Sequence, residues 1–229
     1  MPAKNSIKKY VADGFYHIYN RGVEKRKIFQ DQQDYKVFLS YLKTYLLPKN
    51  TLSLQKQLSR SDVNWKQKDK ILKLLNLNNF HKEIELHSFC LMSNHFHLLV
   101  KQRSANSIDY FMRSLLTRYS LFFNKKNKRI GHLFQGRYKA VLVKTDEQLL
   151  HLSRYIHLNH SASRSARTVF AGSYSSYSDY IGKTNTTWLN KKTILSYFPK
   201  NNPYLSYKSF VENTEVDSIT PLKNLIFDF

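Results

Sequence analysis

The sequence is poor in the residues that build disulfide-rich or fibrous proteins. Its 229 residues include one cysteine, Cys90, six glycines and five prolines. A single cysteine excludes internal disulfides and cysteine-rich zinc modules, and the low glycine and proline content excludes collagen-like and Pro/Gly-rich disordered chains. We therefore expect a folded protein in the reducing cytoplasm.

Long apolar runs are also missing. The longest purely apolar runs are only a few residues, such as Leu98 to Val100, whereas a membrane-spanning helix needs about 20 residues. Residues 1–10 carry Lys4, Lys8 and Lys9 but lack the apolar segment of a secretory signal. The sequence therefore predicts neither a membrane span nor a signal peptide.

Acidic residues are scarce relative to basic ones. Aspartate and glutamate number 16 against 37 lysines and arginines, which gives a formal net charge of +21. An excess of this size normally has a polyanionic partner. Nucleic acid is the first expectation and an anionic membrane surface the second, although no segment shows the sustained basic amphipathic pattern that a surface-bound helix needs.

The order of strand-like and helical segments predicts an α+β fold. The predicted elements are a strand at 15–19, a helix at 34–46, strands at 85–92 and 95–101, a helix at 107–122, a strand at 137–143, and a helix that opens at the capping box 145–148. This order fits a ferredoxin-like, four-stranded antiparallel sheet with helices on one face. We assign residues 1–160 to this core, with an insertion at about 49–80 in which we place no chemistry, and residues 161–229 to a carboxy-terminal extension.

Two histidines are separated by one residue at His95-Phe96-His97. Side chains alternate along a strand, so the two imidazoles are expected on one face and Phe96 on the other. Two imidazoles on one face can share a metal ion. The alternative is an ordinary half-exposed strand.

A tyrosine and an asparagine lie four residues apart on the last predicted helix. Tyr16, Tyr155 and Tyr197 each have an Asn four residues later, but Tyr16 lies in a strand pattern and Tyr197 closely precedes Pro199. On a helix, Tyr155 and Asn159 share a face one turn apart. The alternative is a tyrosine at the edge of the core beside a C-terminal Asn cap.

Four motifs in order give the chain a specific resemblance. They are residues 15–22 (FYHIYNRG), 92–99 (MSNHFHLL), 131–139 (GHLFQGRYK) and 154–159 (RYIHLN). Together they resemble the single-tyrosine HUH transposases that act on single-stranded DNA, most closely the REP-associated tyrosine transposases. The resemblance covers roughly residues 10–198.

The resemblance implies a metal-dependent reaction on DNA. The resemblance implies that Tyr155 is the nucleophile and that His95, His97 and Asn159 are the ligands of Mg²⁺ or Mn²⁺. Imidazole nitrogens and an amide oxygen are a donor set that suits those ions. The expected activity is cleavage and rejoining of hairpin-bearing single-stranded DNA through a 5′-phosphotyrosine intermediate, by a monomer or a homodimer.

Basic and aromatic residues near the motifs are the candidate DNA contacts, since phosphate contacts and base stacking hold single strands. The candidates are Arg21, Arg118, Lys125, Lys126, Arg137, Tyr138, Lys139 and Arg154.

Two other functions fit the same pattern. One is a single-stranded DNA or RNA binding protein of the same fold that does not cut, and the other is a different HUH endonuclease, such as a relaxase or a replication initiator. Retention of His95, His97, Tyr155 and Asn159 together favours the enzyme over the binding protein. The chain length and residues 131–139 count against a relaxase or replication initiator.

Overall fold

A computed structural model describes residues 10–159 and 174–213. Four strands form one antiparallel sheet with the order β2-β3-β1-β4. The strands are β1 (Phe15–Arg21), β2 (Ile84–Met92), β3 (His95–Gln102) and β4 (Lys139–Val143). The helices are α1 (Gln32–Leu46), α2 (Thr51–Leu58), α3 (Trp65–Asn76), α4 (Ser107–Lys126), α5 (Asp146–Leu158), α6 (Tyr177–Tyr180), α7 (Lys192–Leu195) and α8 (Pro203–Glu212).

The sheet confirms the predicted α+β class and the four-stranded antiparallel arrangement. Helices α1 and α4 form the expected layer on one face, where Phe38 of α1 packs 5.6 Å from Phe96 of β3 between ring centroids. Helix α5 lies against the opposite face, because its Tyr155 contacts His97, whose side chain points away from Phe96. The sheet is therefore covered on both faces, and the prediction described only the first.

The start of α5 follows from the residues that precede it. Thr145 caps the helix by accepting a hydrogen bond from the backbone N–H of Gln148 at 3.1 Å, as the capping box predicts. Leu149, Leu152 and Ile156 form the buried stripe of the helix. This stripe fixes the side of α5 that faces the sheet and therefore the direction of Tyr155.

The insertion between α1 and β2 is two helices, α2 and α3, where the sequence showed weak helical patterning only around 71–77. Asn64 and Gln67 form a reciprocal capping box at the start of α3. Ile71 is the residue of α3 that is buried against the core.

Edge strand β2 is covered by the carboxy-terminal part of the chain. The backbone N–H of Leu91 donates to the Tyr174 carbonyl at 2.9 Å, and that of Ser176 donates to the Phe89 carbonyl at 3.0 Å. Further along, the N–H of Asn190 donates to the Leu86 carbonyl at 2.8 Å. The described part of the predicted extension therefore packs on the sheet and extends its hydrogen bonding; the remainder of 161–229 lies outside the described residues.

No helix in residues 10–159 and 174–213 has the length and apolar character needed to cross a membrane.

Candidate active site

Strand β3 presents two histidines on one face of the sheet. The ring centroids of His95 and His97 are 5.0 Å apart, with the ring planes nearly perpendicular. Phe96 points to the other face, where it packs against Phe38 and Phe134. The predicted alternation is therefore present, and the two imidazoles share one surface.

Strand β1 adds His17 and Tyr19 to the same face. Tyr19 is directly opposite His97 in the β1–β3 register. The His17 ring stacks on that of His97 with centroids 5.1 Å apart, and its Nε2 lies 2.9 Å from Nδ1 of His97. Sequence reasoning missed His17, although it lies within the motif at 15–22, because a single histidine in an apolar strand has no spacing that marks it.

Tyr155 of α5 lies over these histidines. Its ring centroid is 5.6 Å from that of His97 and 6.2 Å from that of His17, with near-perpendicular ring planes in both pairs. Its side chain is partly buried. The structure therefore brings the predicted nucleophile to the predicted histidines, which lie almost 60 residues earlier in the chain.

Asn159 is the C-cap of α5, one turn after Tyr155. Its Nδ2 donates to the Tyr155 carbonyl at 3.2 Å. This bond uses the amide nitrogen within the helix, so the carbonyl oxygen Oδ1 is the atom that suits a metal ion. The described residues contain no group of three or more His, Cys, Asp and Glu that could hold a metal.

The hydrogen bonds of the two histidines fit metal coordination through Nε2. Nδ1 of His95 lies 2.6 Å from Oδ1 of Asn94, and because a carbonyl oxygen can only accept, Nδ1 of His95 is the protonated nitrogen. Nε2 of His95 then carries the lone pair. In the same way, Nε2 of His97 carries the lone pair when Nδ1 of His97 donates to Nε2 of His17. Metal-binding histidines usually have their second nitrogen held in this way.

Burial keeps these imidazoles neutral, as ligation requires. Burial, with a smaller contribution from the charge of Arg21, lowers the pKa of His95 to about 4. Burial and then its neighbours His17 and His95 hold the pKa of His97 well below its ordinary value. Cys90, opposite His97 in β2, is fully buried, and burial raises the pKa of its thiol to about 12, so it stays protonated.

Three of the predicted DNA contacts lie beside the histidines. Arg21 is opposite His95 in the sheet, and its Nε donates to Oε1 of Gln135 at 2.5 Å. Arg137 is exposed in the same loop as Gln135. Lys139 is opposite Tyr19 at the start of β4, and burial lowers the pKa of its amine. Arg21 and Lys139 therefore border the face that carries the histidines, and Arg137 lies in the loop that Arg21 contacts.

Three other predicted contacts are engaged within the protein. Lys126 donates to the carboxylates of Asp31 and Asp34 at 2.6–2.8 Å. Tyr138 is 6% exposed and hydrogen-bonded to Asp109, so its ring offers no exposed surface for base stacking. Arg154 is 5% exposed and donates to the Asn213 carbonyl at 2.5 Å. Their partners are far away in the sequence, so no local pattern predicts these roles.

The last two predicted contacts are separate from the histidines. Arg118 lies on α4 with its guanidinium 3.9 Å above the Tyr41 ring. Lys125 is exposed at the end of the same helix.

The carboxy-terminal region holds the helix that carries Tyr155. Nδ1 of buried His157 is 2.7 Å from the Tyr207 hydroxyl of α8, and its Nε2 is 2.8 Å from the Ser176 hydroxyl. The Ser176 hydroxyl also accepts from the backbone N–H of Phe89 in β2 at 2.9 Å. A chain of hydrogen bonds thus joins α8, α5 and the sheet through a side chain two residues from Tyr155.

We expect His157 to make the fold sensitive to acid. Burial lowers its pKa from an ordinary 6.5 to about 3, so below pH 6.5 the unfolded chain takes up a proton that the folded chain does not. As the pH is lowered below 6.5, this group should therefore reduce the free energy of unfolding by about 1.4 kcal/mol per pH unit, which is about 2 kcal/mol between pH 6.5 and pH 5.

Urea unfolding at pH 7 and pH 5 measures this effect. His157→Gln should lower the free energy of unfolding at pH 7. It should also make the loss of that free energy between pH 7 and pH 5 smaller, by the contribution of one titrating histidine, about 2 kcal/mol. An unchanged pH dependence in the variant would show that other groups cause the acid sensitivity.

Comparison with known proteins gives a match to a family model and a similarity to solved structures. Residues 53–159 match the family model described as "Transposase IS200 like". A structure described as "Structure of the REP associates tyrosine transposase bound to a REP hairpin" matches with 9% identity and a TM-score of 0.49, over 80% of this chain and 95% of that one. No curated protein sequence matches. The residues in the family match include His95, His97, Tyr155 and Asn159.

Proposed function

We propose that this chain, whose residues 53–159 match the model of IS200-like transposases, is a DNA transposase that cuts and rejoins hairpin-bearing single strands through Tyr155. The observation that carries the proposal is the position of the Tyr155 ring, 5.6 Å from the ring of His97 between centroids. A phenol beside a pair of neutral imidazoles is the arrangement that metal-assisted attack by tyrosine requires.

His95, His97 and Asn159 are the residues that would hold Mg²⁺ or Mn²⁺. When bound, the ion supplies charge that polarises a non-bridging oxygen of the scissile phosphate. The hydrogen bonds between His95 and Asn94 and between His97 and His17 orient the two rings for this role. His17 is thus a positioning residue for His97.

Tyr155 performs the covalent step. Its ordinary pKa near 10 makes the phenol a weak nucleophile that needs a nearby positive charge. The phenolic oxygen forms a bond to phosphorus as the bond from phosphorus to the 3′ oxygen breaks. The phenol proton is lost to solvent and the departing 3′ oxygen gains a proton, which yields a 5′-phosphotyrosine and a free 3′ hydroxyl. The phosphoester keeps the energy of the broken bond, so the reverse attack by a 3′ hydroxyl rejoins DNA without ATP.

Arg21 and Lys139 border the site and suit the phosphates on either side of the cut. Both lie on strands at positions opposite residues of the site, so the rigid sheet fixes their location. Their contribution should be a salt-dependent affinity for the strand.

The test uses the full chain and hairpins taken from inverted repeats beside its own gene. With Mn²⁺ present, single-stranded hairpins should give a covalent protein–DNA complex that survives denaturation, and blunt duplexes of the same sequence should give none. Hairpin binding without any covalent complex would favour the non-catalytic binding protein. Failure to bind any hairpin or single strand would contradict the proposal.

A further inference from the structure

The insertion that contains α3 is held in a fixed position on the core. The Lys49 amine donates to the Leu75 carbonyl at 2.9 Å and also to the Leu77 carbonyl at the end of α3. Nδ2 of Asn79 donates to the Leu47 carbonyl at 2.7 Å, and Ile71 is 8% exposed. Helix α3 therefore has a defined place beside α4.

A groove of about 780 Å³ lies between α3 and α4. We call it the α3–α4 groove. It is lined by four cationic side chains, Lys70, Lys73, Arg113 and Arg118, and no acidic residue lines it in the part of the chain that the structure describes. A concave surface with charge of one sign concentrates its electric field and attracts ions of the opposite sign.

The positive charge of the α3–α4 groove is only weakly offset by nearby carboxylates. Lys73 pairs with Asp69 at 2.6 Å, but both side chains are more than half exposed, and such pairs are weak. The Arg118 guanidinium stacks on the Tyr41 ring at 3.9 Å, which keeps its charge and holds it in place. Tyr110, at the rim of the groove, is 60% exposed and offers a flat surface to a sugar or base.

The α3–α4 groove continues toward the histidines. Arg113, Thr117 and Leu121 of α4 also line a second groove of about 870 Å³, whose other wall is the loop at 131–138. That wall includes Arg137 and Gln135, and Gln135 accepts a hydrogen bond from Arg21 beside His95. The second groove also includes the carboxylate of Asp109, which is hydrogen-bonded to Tyr138. Arg113 and Arg137 therefore extend a mainly cationic lining from α4 to the loop that Arg21 contacts.

We propose that the α3–α4 groove binds the phosphate backbone of the stem of a DNA hairpin while the single-stranded foot of the hairpin enters the site at Tyr155. This inference rests on the proposed function. A paired stem presents phosphates at regular spacing along two strands, which matches cations spread along the groove, whereas the histidine surface has to receive one strand. The insertion thus contributes to substrate binding and not to the chemical step.

The test compares two double variants that remove the same charge from the insertion. Lys70→Gln with Lys73→Gln alters the groove, and Lys56→Gln with Lys66→Gln alters exposed lysines that do not line it. All four side chains are exposed, so both variants should fold. The measurements are hairpin affinity between 0.05 and 0.3 M salt and the rate of covalent complex formation at saturating DNA.

The groove variant should bind the hairpin about tenfold more weakly near 0.2 M salt, with a slope of log affinity against log salt reduced by about 1.8 for two lost phosphate contacts. The control variant should stay close to wild type. An unpaired strand that carries only the cleavage site should bind both variants equally, and the rate at saturation should not change.

Equal losses in the two variants, or no loss in the groove variant, would overturn the proposal. Tighter binding of an RNA hairpin of the same sequence, also weakened in the groove variant, would overturn the assignment to DNA. Because these are binding measurements, they stay informative if no covalent complex forms, so failure of the groove and failure of the proposed reaction are distinguishable.

Discussion

Tyr155→Phe should abolish the covalent protein–DNA complex and leave hairpin affinity unchanged. The substitution removes one hydroxyl, so the ring can still pack against His97 and α5 can keep its place on the sheet. The substitution removes the oxygen that is proposed to attack the phosphate. We expect the rate of strand cleavage to fall by at least about four orders of magnitude.

Tyr119→Phe is the matched control. Tyr119 is fully buried, and its hydroxyl donates to the Ile28 carbonyl at 2.5 Å, so its ring packs into the core. Burial raises the pKa of this phenol well above its ordinary value, which disfavours its ionised form. The control should lose about 1 kcal/mol of stability from the missing hydrogen bond and should keep its activity.

Mass spectrometry of the peptide that remains on the DNA after protease digestion identifies the attached residue. The adduct should map to Tyr155 in the wild type and in Tyr119→Phe. An adduct on another tyrosine, or normal cleavage by Tyr155→Phe, would overturn the assignment.

His97→Ala should remove metal-dependent cleavage while hairpin binding persists. The imidazole of His97 is central to the site, between His17, His95 and Tyr155, and its loss removes one of the two proposed nitrogen ligands. Cleavage by the wild type should require Mg²⁺ or Mn²⁺ and should stop in EDTA. Full activity in excess EDTA would contradict a role for metal.

Direct Mn²⁺ binding separates a loss of metal from a loss of structure. Electron paramagnetic resonance titration should show no site in His97→Ala. His17→Phe keeps a ring of similar size but cannot hydrogen-bond to Nδ1 of His97, so Mn²⁺ affinity should drop by about 10- to 100-fold, with partial recovery in His17→Gln. Wild-type Mn²⁺ affinity in His17→Phe would show that His17 does not position His97.

The strands and the histidine pair could be predicted because they depend on local periodicity. Alternation along β3 is enough to place His95 and His97 on one face, and helical spacing is enough to place Asn159 one turn after Tyr155. That α5 covers the second face of the sheet follows from packing of its apolar stripe. The sequence does not reveal which face a helix will cover.

Charged residues were predicted less well, because their partners lie far away in the chain. Lys126 lies at the end of α4 in a cationic segment, a pattern that indicates DNA contact. In the structure its amine forms ion pairs with Asp31 and Asp34, which are more than 90 residues away in the sequence. Arg154 directly precedes Tyr155, yet it binds the Asn213 carbonyl across 59 residues. The position of a charge in a motif does not show whether a distant carboxylate or carbonyl already binds it.

The hydrogen bonds that cover the edge of β2 affect how this chain can be shortened. A sheet edge with open N–H and C=O groups pairs readily with a second copy, which leads to aggregation or strand exchange. A version that ended after α5 would lose Tyr174, Ser176 and Asn190, the partners of that edge, and would expose the buried side of Phe89. A shortened version that keeps this edge covered therefore has to include the segment from 174 to 213, even though none of the residues proposed for catalysis lies there.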